Sequence, residues 1–279
     1  IFVYFFSRLS LNFFKKLAPL FFILSLVLLI FVFIPGIGFE SGGATRWLEI
    51  GSFTFQSSEF AKLALIIYLA ALLDKKMKEG KINNFQDGFV PFLIILIPFG
   101  ILLLLQPDMG TLGILCLIAL LMFFGAGASL LHIFLLIFLG ISILAATISF
   151  FPYQAERVST FLNPEEDTLG RSYQVSQSLI ALGSGGIMGL GFGSGIQKHN
   201  YLPQPIGDTI FAVWAEETGF VGSSFIILLF LIICWRGFII AKKAPNNFAR
   251  LLTLGMVGWI SIQAFLHIMA VCGLAPFTG

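Results

Sequence analysis

Apolar blocks separated by short polar segments make up most of the chain. A helix needs about 20 largely apolar residues to cross the roughly 30 Å hydrocarbon core of a bilayer. Seven blocks meet or approach this length, and they lie at residues 17–34, 58–73, 89–105, 110–127, 132–151, 209–235 and 251–272. The pattern predicts an all-α fold, a polytopic transmembrane helix bundle with about seven complete spans.

Composition strengthens this prediction. Charged residues make up 11% of the chain and hydrophobic residues 58%, whereas soluble domains carry about 25% charged residues. The chain opens inside an apolar run at residues 1–6 and ends on the letters APFTG. We therefore expect residues 1–279 to form a single membrane domain that is a fragment, lacking N-terminal and C-terminal spans.

The distribution of lysine and arginine predicts the orientation. Eleven of these 16 residues lie in one set of alternate loops and four in the other set, and loops rich in Lys and Arg normally stay in the cytoplasm. The segments 35–57, 106–109 and 152–208 are therefore predicted to face outward. Residues 152–208 would form a large extracytoplasmic loop, and loops of this length are often functional.

Two ionisable residues lie at the start of the second apolar block. Glu59 and Lys62 are three residues apart, which places them on one face of a helix that Ser57 or Ser58 can cap. One interpretation is an interfacial ion pair that stabilises the helix start. The other is a charged pair beneath an outward cavity, because ionisable residues at membrane depth normally face a cavity or the bundle interior.

Two runs in the large outer loop have unusual composition. Seven glycines fall within residues 183–195, and such a run serves either as an anion-binding nest or for close helix approach and hinge motion. The acidic run Glu165–Asp167 is either part of a solvated loop or a cluster of hard oxygens that attracts a divalent cation.

The stretch 202–220, LPQPIGDTIFAVWAEETGF, holds three carboxylates that helix geometry separates. Asp208 follows two prolines and a glycine and lies at the predicted N-cap of the next helix. Glu216 and Glu217 lie about two turns further along. We expect Asp208 to face an outer cavity and the two glutamates to pair, cap or brace neighbouring loops.

The block that follows Asp208 is too long for a straight span. Residues 209–235 would extend roughly 40 Å as one helix, beyond a core of roughly 30 Å. We expect the helix either to rise above the hydrocarbon or to bend at Gly219 and Gly222.

Five segments together resemble the SEDS family (shape, elongation, division and sporulation) of membrane proteins. They occur in family order across residues 43–279 and read GATRWLEIGSFTFQSSEFAKLALIIYLA, QPDMGT, SYQVSQSLIALGSGGIMGLGFG, QKHNYLPQPIGDTIFAVWAEETGFVG and GLAPFTG. The later segments are more similar to the cell-division branch of the family than to its elongation branch. The resemblance implies an α-helical bundle of ten spans. It also implies polymerisation of lipid II, the lipid-linked disaccharide-pentapeptide, into glycan strands outside the cytoplasmic membrane.

The resemblance also implies residue roles. The family's catalytic aspartate corresponds to Asp208, and its intramembrane charged pair corresponds to Glu59 and Lys62. Residues 202–208 read LPQPIGD where the family commonly has LPE followed by His-Thr-Asp, so no helper role is carried over there. Residues 56–59 read QSSE in place of QPSE, which removes a helix-start proline and keeps the polar groups.

The candidate site combines these residues. Asp208 is the predicted catalytic base, and the other candidates are polar or charged residues that would contact lipid II or its pyrophosphate. They are Glu59, Lys62, Arg46, Trp47, Gln56, Ser58, Arg157, Arg171, Gln174, Gln177 and Lys198. Metal ligands stay unassigned. A divalent cation, Mg²⁺ or Mn²⁺, is a candidate counter-charge for the pyrophosphate, and no organic cofactor is expected.

The expected reaction is an inverting glycosyl transfer that releases undecaprenyl pyrophosphate, with one base near the attacking hydroxyl. The expected setting is the division septum in the bacterial cytoplasmic (inner) membrane. The expected partners are a class B penicillin-binding protein, which is a transpeptidase, and divisome membrane proteins, with no nucleic acid. Three alternatives are a lipid II flippase, an elongation-type polymerase and a scaffold that only recruits partners. A flippase should need polar groups on both sides of the bilayer, whereas those of this chain are concentrated on the predicted outer side.

Overall fold

The computed structural model describes residues 8, 10–41, 44–51, 53–150, 155, 159, 161, 171–197 and 207–276. Within these residues, eight helices follow one another along the chain. They are α1 (Leu11–Phe31), α2 (Ser57–Lys78), α3 (Val90–Leu105), α4 (Met109–Gly125), α5 (Leu130–Phe150), α6 (Arg171–Ser184), α7 (Ile210–Lys242) and α8 (Asn247–Val271). A single π-helical turn, Phe85–Phe89, leads directly into α3.

Seven of these helices coincide with the seven predicted apolar blocks. Five are long and apolar enough to cross a membrane, namely α1, α3 with its preceding turn, α5, α7 and α8, and α4 is a shorter apolar helix. Helix α2 carries Lys75, Lys76 and Lys78 in its last turn, where cations complement the helix dipole. The prediction of a polytopic helix bundle is confirmed.

The segment ahead of α2 forms a small antiparallel sheet, whereas the sequence predicts only an outward-facing loop there. β1 (Gly38–Ser41) pairs with β2 (Ala44–Ile50), and β2 pairs with β3 (Phe53–Gln56). Gly51 has a φ of 66° in the connection between β2 and β3, a conformation that favours glycine. The sheet leads straight into α2 and thereby fixes the start of that helix.

Residues 1–137 and 236–260 form one compact unit. Its centre is α2, whose Leu65 is fully shielded from solvent. Helix α1 packs along α2, and the rings of Phe22 and Tyr68 stack with 4.5 Å between their centroids. Such stacking adds to the stabilisation from apolar burial, so α1 and α2 form a firm pair.

A buried carboxylate links α1 to α2 at their lysine-rich ends. The side chain of Asp74 is 1% exposed and is paired with Lys15 of α1 and Lys78 of α2. Burial acts to raise the pKa of Asp74, but the hydrogen bonds and positive charges of the two lysines outweigh it and hold that pKa below its usual value. The carboxylate therefore stays ionised and paired, which avoids the cost of an isolated buried charge.

Residues 138–235 and 261–279 form the second compact unit. Its apolar cluster comes from α6, the first turns of α7 and the end of α8. The buried members are Ala181, Phe211, Ala212, Ile268 and Val271. This cluster holds the start of α7 against the end of α8, and with it the residues just ahead of α7.

Helix α7 is interrupted at Gly219. The backbone there has φ 68° and ψ −164°, which breaks the helical hydrogen-bond ladder and suits glycine alone among the common residues. Helix α7 thus consists of a first segment, residues 210–218, and a second segment, residues 220–242. The predicted bend occurs at Gly219 and not at Gly222.

We expect Gly219→Ala to destabilise the protein. A Cβ at this position would overlap the backbone of Gly189 and Ile187, and an L side chain is strained at positive φ. The midpoint of thermal unfolding in detergent should fall by about 5 °C or more. Gly113→Ala in α4 is the matched control, since no described atom lies within 4 Å of its added Cβ. Equal midpoints for the two variants would contradict this account of the break.

Candidate active site

Asp208 lies in the turn that leads into α7. The helix begins at Ile210, and the Thr209 carbonyl accepts hydrogen bonds from the backbone N–H groups of Ala212 and Val213. Thr209 therefore occupies the N-cap position, and the prediction that Asp208 caps the helix is wrong. The Asp208 side chain is half-buried, and within the described residues no hydrogen bond occupies its carboxylate.

The glycine segment, defined as residues 185–197, bridges the interruption of α7. Two N–H groups of the glycine segment donate hydrogen bonds to carbonyls of the first helical segment. Two N–H groups of the second helical segment donate to carbonyls of the glycine segment. The N–H groups of Leu190 and Gly191 donate to the carbonyls of Glu216 and Glu217, respectively. The N–H groups of Phe220 and Val221 donate to the carbonyls of Gly186 and Ile187, and the four N···O distances are 2.9–3.2 Å. Polar backbone groups on both sides of the break are thereby satisfied.

Glycine is what allows this close approach. A Cβ at Gly185 would overlap the carbonyl oxygen of Ala215, and a Cβ at Gly189 would overlap that of Glu217. An anion-binding nest needs free backbone N–H groups, whereas those of Gly189 and Gly191 donate within the protein. Of the two interpretations of the glycine-rich run, close helix approach is confirmed and the nest is not supported at these amides.

Glu216 fixes the end of the glycine segment. The residue is 1% exposed, and its Oε1 accepts hydrogen bonds from the backbone N–H groups of Ile196 at 2.9 Å and Gln197 at 3.2 Å. These donors satisfy a charge that would otherwise be costly to bury. The predicted bracing role of Glu216 is confirmed. The chain just ahead of Lys198 is thereby anchored to the same helical segment that begins next to Asp208.

His267 is a neighbour of Asp208 that the sequence analysis missed. It precedes Ile268, which packs in the same apolar cluster as Phe211 and Ala212 just after Asp208. Burial and, more weakly, the charge of the Asp208 carboxylate act on the half-buried imidazole. Its Nε2 is buried and has no hydrogen-bond partner within the described residues. The occurrence of a histidine within an apolar span could have identified His267 from the sequence, because intramembrane ionisable residues often mark functional sites.

The predicted charged pair of the first unit is formed. Lys62 Nζ lies 2.7 Å from Glu59 Oε1, and the Lys62 side chain is 1% exposed while that of Glu59 is 40% exposed. The ammonium also lies 5.3 Å from the centre of the Trp259 ring, within the range of a cation–π interaction. Both Glu59 and Trp259 thus help to hold the lysine, and the partly exposed glutamate is accessible to other molecules.

Polar residues of the sheet lie around the start of α2. Trp47 is the cross-strand neighbour of Gln56, which directly precedes α2 and occupies its N-cap without a side-chain hydrogen bond. The prediction that Ser57 or Ser58 caps α2 is therefore wrong. Both serines lie in the first turn, and their hydroxyl oxygens are buried without a partner in the described residues.

Arg46 connects the sheet to the turn between α3 and α4. Its Nη2 donates to the carbonyl of Pro107 at 2.8 Å, and the residue is 9% exposed. In the same turn, Asp108 accepts a hydrogen bond from the N–H of Thr111 and so caps α4. Arg46 is thus a buried, positioned cation of the first unit.

The remaining predicted site residues fall in the predicted outer loop. Gln174 and Gln177 are half-buried on α6, three residues apart and therefore on one face. Arg171 is the first residue of α6, but its side chain lies outside the described residues, as do Arg157, Lys198 and the run Glu165–Asp167. Their site roles, and the bounds of the loop 152–208, stay predictions.

Comparison with known proteins decides the family. Residues 1–279 match the family of cell cycle proteins that groups FtsW, RodA and SpoVE. This chain belongs to that family. The resemblance drawn from the sequence motifs is confirmed, and the chain is a multi-pass membrane protein.

This member of the FtsW/RodA/SpoVE family is similar in sequence to proteins of several bacteria. It is 41% identical to the stage V sporulation protein E of Bacillus subtilis, over 90% of this chain and 68% of that protein. It is 40% identical to the probable peptidoglycan glycosyltransferase FtsW of Nitrosococcus halophilus, over 98% of this chain and 70% of that protein.

Solved structures agree with the fold. A chain of a peptidoglycan synthase complex that coordinates polymerization and crosslinking is 28% identical, with a TM-score of 0.80, over 99% of this chain and 76% of that chain. The rod shape determining protein RodA of Thermus thermophilus is 25% identical, with a TM-score of 0.67, over 98% of this chain and 73% of that chain. The helical membrane fold of this FtsW/RodA/SpoVE family member is therefore shared with solved relatives.

In this family member, Glu216→Gln should loosen the chain ahead of Lys198. The substitution replaces one carboxylate oxygen by a donor and weakens charge-assisted bonds worth about 1.5–3 kcal/mol each. We expect trypsin to cleave after Lys198 about 10-fold faster, as followed by mass spectrometry of the peptides. Glu49→Gln removes the same charge from an exposed position in β2 and should have no effect. Equal cleavage rates in both variants would show that Glu216 does not anchor the segment.

Proposed function

We propose that the protein is a peptidoglycan glycosyltransferase that polymerises lipid II at the division septum. The observation that carries this proposal is the half-buried Asp208, whose carboxylate no described group engages in a hydrogen bond, fixed just ahead of the interrupted helix α7. Relatives named as peptidoglycan glycosyltransferases support the reaction class, and their FtsW name supports the division branch over an elongation-type enzyme.

The chemistry needs one base. The C4 hydroxyl of the acceptor GlcNAc attacks the anomeric carbon of the donor MurNAc, the bond to the pyrophosphate oxygen breaks, and the configuration inverts. Asp208 takes the proton of the attacking hydroxyl. The pyrophosphate leaves as an anion and needs no protonation, so the second carboxyl group of a glycosidase is not required.

Cations would stabilise the leaving pyrophosphate. Lys198, Arg157 and Arg171 are the candidates, since all three lie in the predicted outer loop 152–208 that ends at Asp208. Electrostatic stabilisation of a leaving anion is a strong catalytic term. Mg²⁺ or Mn²⁺ is a further source of positive charge. Within the described residues no group of three ligating side chains comes together, so a metal would have to be held by other residues or by the pyrophosphate itself.

The first unit would bind the polar part of the substrate. Glu59 is partly exposed while Lys62 is held beneath it, and Arg46, Trp47, Gln56 and Ser58 lie around the start of α2. Because the Glu59–Lys62 pair directly precedes the apolar stretch of α2, it equally suits the runner-up function, a lipid II flippase. The two functions differ in whether Asp208 is needed.

Membrane setting and partners follow from the same proposal. We place the active site on the extracytoplasmic side of the cytoplasmic membrane of a bacterium, because lysine and arginine are concentrated in the opposite set of loops. A class B penicillin-binding protein is the proposed partner, supported by the similarity to a chain of a complex that couples polymerization to crosslinking. Other divisome membrane proteins would join it at the septum.

The test is lipid II polymerisation by the full-length protein with its partner. Asp208→Ala and Asp208→Asn should each lower the rate by at least about 100-fold, since a general base contributes about that much or more. Asp87→Asn removes another carboxylate, one that lies 3.8 Å from Lys81, and should leave the rate unchanged.

Two results would overturn the proposal. Polymer formation by folded Asp208→Ala at the rate of the unsubstituted protein would remove Asp208 from catalysis. Lipid II translocation in vesicles by a protein that forms no polymer, unaffected by Asp208→Ala, would favour the flippase.

A further inference from the structure

A second titratable side chain lies beside the proposed base. Phe211 and Ala212, which follow Asp208, pack in one buried cluster with Ile268, which follows His267. This packing brings the start of α7 and the end of α8 together within the second unit. The electrostatic effect of Asp208 on His267 is consistent with that placement.

The imidazole has a free position for a proton. Its Nε2 is buried and has no hydrogen-bond partner within the described residues. A neutral imidazole always carries one nitrogen that accepts a proton. Imidazole is intrinsically a stronger base than a carboxylate, so a neutral imidazole beside a protonated carboxyl group is a suitable acceptor for its proton.

We propose that His267 receives the proton that Asp208 removes from the attacking hydroxyl. The inference rests on the proposed function. The proton passes from the acceptor hydroxyl to Asp208, and from Asp208 to His267 directly or through one water. It then leaves to solvent, while the electron pair of the broken bond leaves with the pyrophosphate. His267 acts on the reaction only through Asp208 and does not contact the sugar. It is therefore a positioning residue and not a catalytic residue.

Within the described residues, the other ionisable groups near this cluster are few, and just after the end of α8 they include the thiol of Cys272, which packs against it. From α6 they are Tyr173, which is half-buried, and Arg171, whose side chain lies outside the described residues. From α7 they are Glu217 and Glu216, and the Glu216 carboxylate is occupied by the N–H groups of Ile196 and Gln197.

The experiment is the pH dependence of lipid II polymerisation by the full-length protein with its partner. A protonated imidazole accepts no further proton, so kcat should fall as the pH drops into the range in which His267 becomes protonated. In His267→Asn and His267→Gln, kcat at pH 8 should fall by about 10- to 100-fold. The acid limb should move to lower pH, and KM for lipid II should change by less than about 3-fold.

His132→Asn is the matched control. That imidazole is also buried, stacks on Phe89 at 4.9 Å between ring centroids and lies in the first unit. It should keep the pH profile of the unsubstituted protein. Using both Asn and Gln at position 267 guards against one variant that fails to fold.

The outcomes separate this inference from the proposed function. If polymerisation persists in Asp208→Ala, Asp208 is not the base, and both its proposed role and the inference about His267 are overturned. If Asp208→Ala is inactive while both His267 variants keep the original rate and profile, the function stands and the role of His267 is overturned. Slow His267 variants that keep the original acid limb would also overturn it, because they would indicate a packing role only.

Discussion

The interruption of α7 at Gly219 is the constraint on which the second unit depends. Backbone polar groups need partners wherever water is scarce, and this requirement is strictest within a membrane. The break separates carbonyls at the end of one helical segment from N–H groups at the start of the next. The glycine segment supplies the complementary groups for both, and it fits only because Gly185 and Gly189 lack a Cβ.

This arrangement gives the two parts of α7 different tasks. The second segment continues as an apolar helix, while the first is held by the glycine segment, by the Glu216 carboxylate and by the apolar cluster with α8. Asp208 thus lies just ahead of a short, firmly held helical segment. The same cluster brings His267 close to it, so the packing that stabilises the fold also brings two titratable groups together.

Much of this could be predicted from local sequence. Apolar length predicts the seven long helices, and spacing predicts the Glu59–Lys62 pair. The excess length of the block after Asp208 predicts either a rise above the hydrocarbon or a bend at Gly219 and Gly222, and the structure has the break at Gly219. Other features depend on contacts that no local pattern encodes. The sheet has strands of only four to seven residues. His267 is distant from Asp208 in sequence, and the N-cap was misplaced by one residue because helix ends are weakly specified.

The most direct test of this account is amide hydrogen exchange in the full-length protein in lipid nanodiscs. It would be read at the four donors that close the break, Leu190, Gly191, Phe220 and Val221. The account predicts that all four are protected and exchange at a common rate, because they open only when the glycine segment leaves the helix. Rapid exchange at Leu190 and Gly191 beside a protected α7 would contradict it.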